Sequence, residues 1–420
     1  MDGSGGGTWH QERDGTLCLW EAGRAQPDWW ASRVAILERV REWFDQADTG
    51  WQDNAPDMDL ERYWSPSVGL VLYDELPQSG WVRMARGSTP RHASPVWEVR
   101  GNGSSTKRGP SAGYVISIGE PGRPPRALAE LLMLVTEGEL HDAIETERVG
   151  WIIARYQRHG VDGVLALQLT FEESDVPECR SVAAASITPA ARRLRAGSQA
   201  VALSGASVAV VGVGAIGSFV ADLLARSAIG RISLCDPDIL KPGNLVRHAV
   251  GNEGIGAVKA NAVRQHVLDR YGLDPSAVEV QVDRIDDLRS AVAVLGSHDL
   301  VVNATGSVAA TIALDHAAEI LDKPVVAVAT TQEGRVVRVD CSPRSEGEPW
   351  YDDPVLPPTG LPPLLEGGCG SSISPTPPWA VTLAAGHAAR AVVSILTGQH
   401  TPSSYVQIVA ADLPHEVPSA

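Results

Sequence analysis

Three closely spaced glycines are the first residues in the chain whose pattern suggests chemistry. Gly212, Gly214 and Gly217 have the spacing G-x-G-x-x-G, directly after an apolar run and at the start of a helical pattern. Glycines let the backbone turn tightly and approach phosphate oxygens, and a helix N-terminus favours the negative charge of those oxygens. The pattern indicates a nucleotide site, but by itself it fits NAD, FAD and ATP alike.

The polar residues that follow the glycines are more selective. Asp236 ends the next apolar run, where its carboxylate can accept hydrogen bonds from the ribose of either NAD or ATP. Beyond it come Asn244, Arg247 and Lys259. A dehydrogenase needs no pair of cations beside its pyrophosphate. Attack of a carboxylate on an α-phosphate does need such cations, because negative charge builds up on the phosphoryl oxygens and on the leaving pyrophosphate.

The run from Asp236 through Asp238, Asn244 and Arg247, followed by a Gly-x-x-Lys pattern ending at Lys259, resembles the signature of the E1/ThiF/MoeB adenylating enzymes. The resemblance implies that ATP is bound by these residues and by the glycines. It places Asp236 on the ribose, and it places Asn244, Arg247 and Lys259 on the triphosphate. Arg247 and Lys259 are also the residues that it implies for catalysis of adenylation.

One position departs from the family pattern. The family normally has a Thr-Asp pair whose carboxylate coordinates Mg²⁺, and here Gly306 follows Thr305 in the acidic position. Mg²⁺ prefers oxygen ligands, so Asn303, Thr305 and Asp238 are candidate replacements. The alternative is that the nucleotide and water hold the metal. The resemblance therefore implies Mg²⁺ together with ATP and leaves the protein ligand open.

The resemblance also implies a second arginine that reaches the ATP from upstream, often across a dimer. Arg192, Arg193 and Arg195 are the candidates, and a solvated basic helix face is the alternative. A homodimer is the oligomeric state that the family resemblance implies.

Cysteines form the second group of chemical candidates. After adenylation, E1 enzymes commonly transfer the acyl group to a cysteine on a crossover loop, and Cys341 and Cys369 lie in that zone. Cys369 is the better candidate, because small neighbours leave its sulfur accessible and the helix predicted from Trp379 favours a thiolate. Cys235 lies within an apolar run and is expected to be a packing residue.

A second resemblance lies at the amino terminus. The run from Gly15 through Cys18 to Trp20, followed by an amphipathic helix, resembles the active-site segment of E2 ubiquitin-conjugating enzymes. It makes Cys18 a candidate relay cysteine, with His10 in place of the asparagine that steadies the oxyanion in E2 enzymes. Only 17 residues precede Cys18, so a partial E2-like segment is expected. The alternative is a structural cysteine beside a tryptophan cluster.

These candidate residues require elements that position them. From Ser207 onward strands alternate with helices, which predicts an α/β fold with a doubly wound, mostly parallel sheet. Before it, helical spacing near residues 34–44, short β-type runs over 69–119, and two helices predicted over 127–159 indicate an α+β region. The predicted segments are a partial E2-like (UBC) segment at 1–64, a connecting domain at 65–187 and an adenylation domain at 188–420.

Composition limits the partners. A formal charge of −16 disfavours nucleic acid, and the sequence has no apolar run long enough to cross a membrane. Five cysteines without a C-x-x-C pair suggest reduced thiols and a cytoplasmic protein. An acidic surface suits a protein partner with a basic docking face.

Together these features predict ATP-dependent adenylation of a protein C-terminal carboxylate, followed by transfer to cysteine for conjugation. The order of an E2-like segment, a connecting domain and an E1-like domain is similar to bacterial E2–E1 fusion proteins of CBASS antiviral operons and related ubiquitin-like conjugation systems. That resemblance implies a ubiquitin-like protein or a nucleotidyltransferase tail as partner. The alternatives are a sulfur-carrier activator, an NAD- or FAD-dependent oxidoreductase, and a non-catalytic scaffold.

Overall fold

The computed structural model describes most of the chain. The described residues are 9–19, 32–49, 51, 60–87, 94–101, 109–135, 138–146, 149–158, 160–171, 177–344, 347–348, 351–357, 364–365 and 372–409. The chain forms two compact units, unit 1 (Met1–Thr188) and unit 2 (Pro189–Ala420). The division of unit 1 into an E2-like segment and a connecting domain stays a prediction.

Unit 1 is built around a closed barrel of seven strands. In chain order these are β1 (Pro66–Tyr73), β2 (Gly80–Arg86), β3 (Val96–Arg100), β4 (Gly109–Ser117), β5 (Val149–Arg158), β6 (Val161–Thr170) and β7 (Glu178–Ser186). Around the barrel the order is β1-β3-β2-β4-β5-β6-β7, and β7 pairs with β1 in parallel to close it. The described helices of this unit are α1 (Arg33–Thr49), α2 (Leu128–Leu132) and α3 (Gly138–Glu145).

Strand β5 corrects one expectation. The prediction of helices across 127–159 is wrong for its last part, which is this strand. Trp151 and Ile153 are buried in one apolar cluster, whereas Ile152 and Ala154 are buried in another. A strand that is buried on both faces shows no polar alternation, so its apolar run resembles that of a buried helix.

Unit 2 contains a seven-stranded sheet with helices on both faces. Its strands in chain order are β8 (Ser207–Val211), β9 (Arg231–Cys235), β10 (Val278–Gln281), β11 (Leu300–Asn303), β12 (Val325–Thr331), β13 (Val336–Ser342) and β16 (Ser404–Ile408), with β14 (Leu364–Leu365) and β15 (Ser372–Ile373) forming a separate pair. The sheet order is β10-β9-β8-β11-β12-β13-β16. The first five strands of that order are parallel, and β13 and β16 are antiparallel to their neighbours.

The helices of unit 2 cover the two faces of this sheet. They are α4 (Pro189–Arg193), α5 (Ala200–Leu203), α6 (Ala215–Arg226), α7 (Lys259–Tyr271), α8 (Leu288–Gly296), α9 (Val308–Leu321) and α10 (Pro378–Leu396). Val208 and Val210 of β8 pack in the cluster that contains α6, α7 and α10. Ala209 and Val211 pack in the cluster that contains α8 and α9. The predicted doubly wound, mostly parallel α/β sheet is thereby confirmed.

By length and composition alone, helix α10 is long and apolar enough to cross a membrane, which differs from the expectation that the sequence has no such run, and it is the one such helix in the described part of the chain. Its buried residues belong to the core of unit 2, and this set is Ala380, Val381, Ala384, Ala385, Ala388, Ala389, Ala391 and Val392. Small alanine side chains let α10 pack closely against α6 and the sheet. The apolar composition of this helix is thus accounted for by packing inside the unit.

Candidate active site

A cleft of about 430 Å³ opens at the carboxyl ends of the parallel strands of unit 2. Its lining comes from the turns after β8, β9, β10 and β11 and from the end of β12. The helices that follow the neighbouring strands β8 and β11 lie on opposite faces of the sheet. In open α/β sheets such a switch point creates the crevice in which ligands bind.

The glycine turn forms one wall of this cleft. Gly212 has a φ of 82°, and a Cβ there would lie 2.8 Å from the backbone of Thr305. A Cβ on Gly217 would lie 1.8 Å from the carbonyl oxygen of Gly212. Gly214 lines the cleft, and a Cβ there would have no neighbour within 4 Å. The turn itself requires the first and third glycines, whereas the second leaves open space at the N-terminus of α6.

Asp236 links the glycine turn to the next strand. Its Oδ2 accepts the N–H of Val213 at 2.9 Å, and its Oδ1 accepts the N–H of Asp238 at 2.9 Å. Burial raises the pKa of this carboxyl, and the hydrogen bond from Asp238 and the charge of Lys259 oppose that rise. Each carboxylate oxygen can accept a further hydrogen bond, so Asp236 retains the capacity to hold a ribose hydroxyl.

Lys259 and Arg284 place two cations on the cleft. Lys259 Nζ donates to Asp238 Oδ2 at 3.0 Å, and Arg284 Nη2 lies 3.5 Å from Asp238 Oδ1. The hydrogen bond from Lys259 is the main cause that lowers the pKa of Asp238. All three residues line the cleft. One carboxylate therefore orients two cations toward the space beside the glycine turn.

His248 supports the glycine turn from within the core. It is 6% exposed, its Nε2 lies 2.9 Å from the carbonyl oxygen of Val213, and its Nδ1 accepts the N–H of Val250 at 3.2 Å. Because Nδ1 is an acceptor, Nε2 carries the proton and donates to Val213. Burial lowers the pKa of His248 to about 4, so the ring is neutral near pH 7. The sequence-based candidates do not include His248, although it directly follows Arg247.

Arg247 and Asn244 have other contacts. Arg247 Nη1 donates to the carbonyl oxygens of Ser374 at 2.6 Å and Thr376 at 3.3 Å, and so holds the segment before α10. Asn244 Oδ1 accepts the N–H of Lys241 at 3.0 Å at the start of a 3₁₀ turn. Among the described residues that line the cleft, Ser374 is present and these two are not. Their contact with ATP stays a prediction.

The turn after β11 contains the position that departs from the family pattern. Asn303 Oδ1 accepts the N–H and the hydroxyl of Thr305 at 3.2 and 2.8 Å, and its Nδ2 donates to Thr311 at 2.9 Å. Asn303 is buried, so its amide serves the turn. Gly306 has a φ of 65°, and a Cβ there would have no neighbour within 4 Å. A side chain at 306 has room but would occupy strained backbone.

Carboxylates that the sequence motifs did not identify also line the cleft. Asp283 and Asp286 follow β10 and face the same space as Asp238. Their position after a parallel strand is the signal that identifies them, because the carboxyl ends of such strands share one edge of the sheet. Within the described ranges no three His, Cys, Asp or Glu side chains form a group that could hold a metal ion alone. These oxygens fit Mg²⁺ only as partners of a nucleotide and water.

The cysteines differ sharply in accessibility. Cys341 is 8% exposed, and burial raises the pKa of its thiol to about 12 with a further contribution from Asp340. Burial also raises the pKa of Cys235 to about 12, and its Sγ lies 3.4 Å from Gln281 Oε1. Neither thiol is poised as a nucleophile. Cys369 lies outside the described residues.

The amino-terminal candidates lie in a short hairpin. Gln11 and Leu17 form an antiparallel bridge, and the N–H of Cys18 donates to the carbonyl oxygen of His10 at 2.8 Å. The His10 ring is buried, 4.4 Å from the ring of Trp51 between centroids. Cys18 is half-buried. Trp20 lies outside the described residues, and the E2-like assignment stays a prediction.

The upstream arginines lie at the start of unit 2. Arg193 and Arg195 are exposed, and the side chain of Arg192 lies outside the described residues. This exposure is compatible with a solvated face and with a partner-facing role.

A scan against protein-family models matches residues 190–417 to the ThiF family. Adenylyltransferase and sulfurtransferase MOCS3 of Anopheles gambiae is 33% identical over 171 residues, which are 40% of this chain and 36% of that protein. ATP-dependent ubiquitin transferase-like protein Cap2 of Pseudomonas aeruginosa is 35% identical over 108 residues, which are 25% of this chain and 19% of that protein. The chain thus spans about a third of the first relative and about a fifth of the second.

Among solved structures, the crystal structure of E. coli MccB with ATP is similar at a TM-score of 0.39 and 17% identity. The similarity covers 52% of this chain and 71% of that one.

Proposed function

The chain belongs to the ThiF family, and from this membership and the geometry of the cleft we propose that unit 2 is an ATP-dependent adenylyltransferase. Its substrate is the C-terminal carboxylate of a protein or peptide. A carboxylate oxygen attacks the α-phosphorus, the bond from the α-phosphorus to the α,β-bridging oxygen breaks, and pyrophosphate leaves with that oxygen and its charge. The product is a mixed anhydride between the carboxylate and AMP.

The arrangement of Lys259 beside the glycine turn is the observation that carries this proposal. The open space at Gly214 and the N-terminus of α6 suit phosphate oxygens, and Asp236 is placed for the ribose. Lys259 and Arg284 supply positive charge where phosphoryl charge develops. A hydride-transfer site has no use for such a pair, so the oxidoreductase alternative is disfavoured.

Mg²⁺ fits the same cleft as a companion of the triphosphate. The oxygens of Asp238, Asp283 and Asp286 would hold it through direct or water-mediated contacts, since Mg²⁺ keeps several waters. When bound, the ion supplies neutralising charge to the phosphates. With Asn303 used inside its own turn and Gly306 without a side chain, one of these carboxylates, together with the nucleotide and water, would take the place of the ligand expected after Thr305.

Arg247 and Asn244 are retained as triphosphate contacts within the proposal. Arg247 does not line the cleft itself, but it donates a hydrogen bond to Ser374, which does. Replacement of Arg247 is therefore expected to raise the KM for ATP and, separately, to destabilise the segment before α10.

ATP–pyrophosphate exchange with the full chain is the test of adenylation. The substrate is the C-terminal tail of a ubiquitin-like protein or nucleotidyltransferase encoded beside this chain. Lys259→Gln is expected to lower exchange at least 100-fold, because one phosphate-facing cation contributes a few kcal/mol at such sites. Arg270→Gln removes an exposed cation from the same helix and is expected to leave exchange unchanged. Equal exchange by the wild type and Lys259→Gln would refute the proposed role of the cleft.

The finer part of the proposal is transfer of the acyl group from AMP to a cysteine thiol. The thiolate attacks the acyl carbon, AMP leaves and a thioester forms. Cys369 is the proposed acceptor, since Cys341 and Cys235 are buried with raised pKa values. Cys18 is the proposed later relay site. The printed name of Cap2, an ATP-dependent ubiquitin transferase-like protein, supports conjugation as the class of outcome.

A thiol-sensitive adduct distinguishes these cysteines. The chain is incubated with ATP and the tail protein, and adducts are separated without reductant. Cys369→Ala is expected to abolish the adduct, whereas Cys341→Ala is expected to keep it. Loss of the adduct in Cys341→Ala alone would contradict the assignment of Cys369.

Sulfur-carrier activation is the second candidate function. MOCS3 and the sulfur carrier protein adenylyltransferase of Thermus thermophilus, 32% identical over 173 residues, support it by their printed names. The same adenylation chemistry serves both candidates. Exchange that responds to a sulfur-carrier tail, with no cysteine adduct under any condition, would favour this second function.

A further inference from the structure

Unit 2 contains a second, smaller pocket of about 190 Å³ between α10 and the antiparallel strands β13 and β16. It shares no lining residue with the nucleotide cleft. Arg390, Ser394, His400 and Tyr405 contribute polar groups to its wall. Nothing in the adenylation chemistry uses this pocket.

The guanidinium of Arg390 is the strongest charge in the pocket. It is exposed and lies over the ring of Tyr405, 5.7 Å from the centroid. In the described part of the chain it forms no ion pair with a carboxylate. Of the described residues, Glu348, which lies against His400, and Asp340 bring carboxylates near the pocket, and neither forms an ion pair with the guanidinium. The guanidinium is therefore available to attract an anionic ligand at the mouth of the pocket.

Other donors share the wall with Arg390. Ser394 lies one turn later on the same face of α10, where i and i+4 side chains are neighbours. Tyr405 is held in place because its hydroxyl donates to Gln407 Oε1 at 2.8 Å. His387 Nε2 contacts the same oxygen at 3.0 Å. The His387 ring also lies 4.6 Å from the Tyr405 ring between centroids, so the ring under Arg390 is held by one hydrogen bond and one ring contact.

The floor of the pocket is apolar. Val339, Cys341 and Ala391 are 3%, 8% and 7% exposed. A charge pair formed against such a floor is stronger than one in open water. The volume is below the range of roughly 300–1,000 Å³ that is typical of drug-sized ligands, and the guanidinium disfavours a metal cation.

We propose that this pocket binds a small free oxyanion, either phosphate or a carboxylate of similar size, with Arg390 as its anchor. The Ser394 and Thr401 hydroxyls provide further hydrogen-bond donors around it, whereas His400 Nε2 lies 3.6 Å from Glu348 Oε1 and faces that carboxylate. The site is independent of the proposed adenylation activity.

Isothermal titration calorimetry on the full chain tests the proposal with inorganic phosphate and, separately, with acetate, at constant ionic strength. The Lys259→Gln variant is used as background, because it weakens anion binding in the nucleotide cleft, and the difference between this background and the same background with Arg390→Gln reports the second pocket. Binding with a Kd of about 10 mM or tighter is expected for at least one anion. The anion that binds with the lower Kd shows whether the pocket prefers a phosphate or a carboxylate group. Arg390→Gln is expected to weaken binding at least tenfold, and Ser394→Ala a few-fold.

Arg289→Gln is the matched control, because it removes an exposed arginine that lines neither pocket. It is expected to bind the anion as the background does. Circular dichroism checks the fold, and Arg390→Lys, which keeps the charge, is expected to retain part of the affinity. No heat of binding for either anion, or equal losses in Arg390→Gln and Arg289→Gln, would overturn the proposal.

Discussion

A chain of hydrogen bonds through buried polar groups shapes the nucleotide cleft at the residue scale. His248 donates to the carbonyl of Val213, and the N–H of Val213 donates to Asp236. Asp236 also accepts the N–H of Asp238, whose side chain holds Lys259. Removing one member leaves a buried partner unsatisfied, which costs about 1–3 kcal/mol. His248 is therefore a positioning residue that acts through Val213 and Asp236.

Because the pKa of His248 is lowered in the folded state, the free energy of unfolding is expected to decrease as the pH falls. Between its ordinary pKa of 6.5 and its folded value of about 4, the unfolded chain binds a proton that the folded chain does not. Its contribution to stability is complete above pH 6.5 and is lost as the pH falls toward 4. From pH 7 to pH 5 the loss amounts to roughly 2 kcal/mol.

Urea unfolding at pH 7, 6 and 5 measures this loss against His248→Gln, whose amide keeps a donor and does not titrate. The variant is expected to lose less stability than the wild type on acidification. His316→Gln, on the exposed face of α9, is expected to behave as the wild type. Identical pH dependence in the wild type and His248→Gln would contradict the role of His248.

At the scale of elements, the turn from β8 into α6 does most to define the site. A Cβ at Gly212 would clash with Thr305 and a Cβ at Gly217 would clash with the Gly212 carbonyl, which explains the glycine at these two positions. Gly214 instead borders open space. The carboxyl ends of β9, β10 and β11 then bring aspartates, Lys259 and the turn at Gly306 to the same edge. The element arrangement places groups together that are distant in the chain.

Two glycine substitutions separate folding from binding. Gly217→Ala places a methyl 1.8 Å from the Gly212 carbonyl oxygen, so the turn must shift and stability is expected to fall by about 2 kcal/mol or more. Gly214→Ala meets no protein neighbour, but the backbone at 214 has a φ of −76° and a ψ of −140°, outside the main allowed regions of alanine. Its stability is expected to fall by about 1 kcal/mol because of this backbone strain, which is less than for Gly217→Ala, whereas ATP affinity falls at least tenfold.

Thermal unfolding and ATP titration of the two variants provide the measurements. Gly205→Ala, also without a neighbour for its Cβ and outside the cleft, serves as the control that keeps ATP affinity. Unchanged ATP affinity in Gly214→Ala would argue against phosphates at the N-terminus of α6.

At the scale of the whole molecule, two units carry different architectures. Unit 1 is a closed barrel of mixed strands with a tryptophan-rich cluster on one side of it, and unit 2 is the doubly wound sheet. The family match lies within unit 2. Nucleotide binding is therefore expected to leave its signature in unit 2.

Hydrogen exchange with and without a non-hydrolysable ATP analogue locates that signature. Protection is expected to increase at the glycine turn, after β9 and after β11, because ligand contacts stabilise the backbone that forms the cleft. The barrel strands of unit 1 are expected to show smaller changes. Protection confined to the barrel would place the nucleotide elsewhere.

Much of unit 2 was predictable from its local patterns. The alternation of short apolar runs with helical patterns from Ser207 onward predicts the parallel strands of the sheet and the helices between them, since buried parallel strands have this composition. Strand β16 was missed, because Ser404–Ile408 is only five residues long and mixes polar with apolar side chains. Strand β5 was taken for helix because burial on both faces removes the alternation that identifies a strand.

The sequence by itself predicted the glycine turn and Asp236, because spacing within one strand–turn–helix unit is a local property, whereas Arg247 and Lys259 were candidates through the family resemblance. Only the tertiary structure decided which side chains share the cleft. It added His248, Arg284, Asp283 and Asp286 and paired Lys259 with Asp238. It also joined Arg247 to the segment before α10, 127 positions away in the chain. Such contacts depend on the strand order of the sheet, and no local pattern encodes that order.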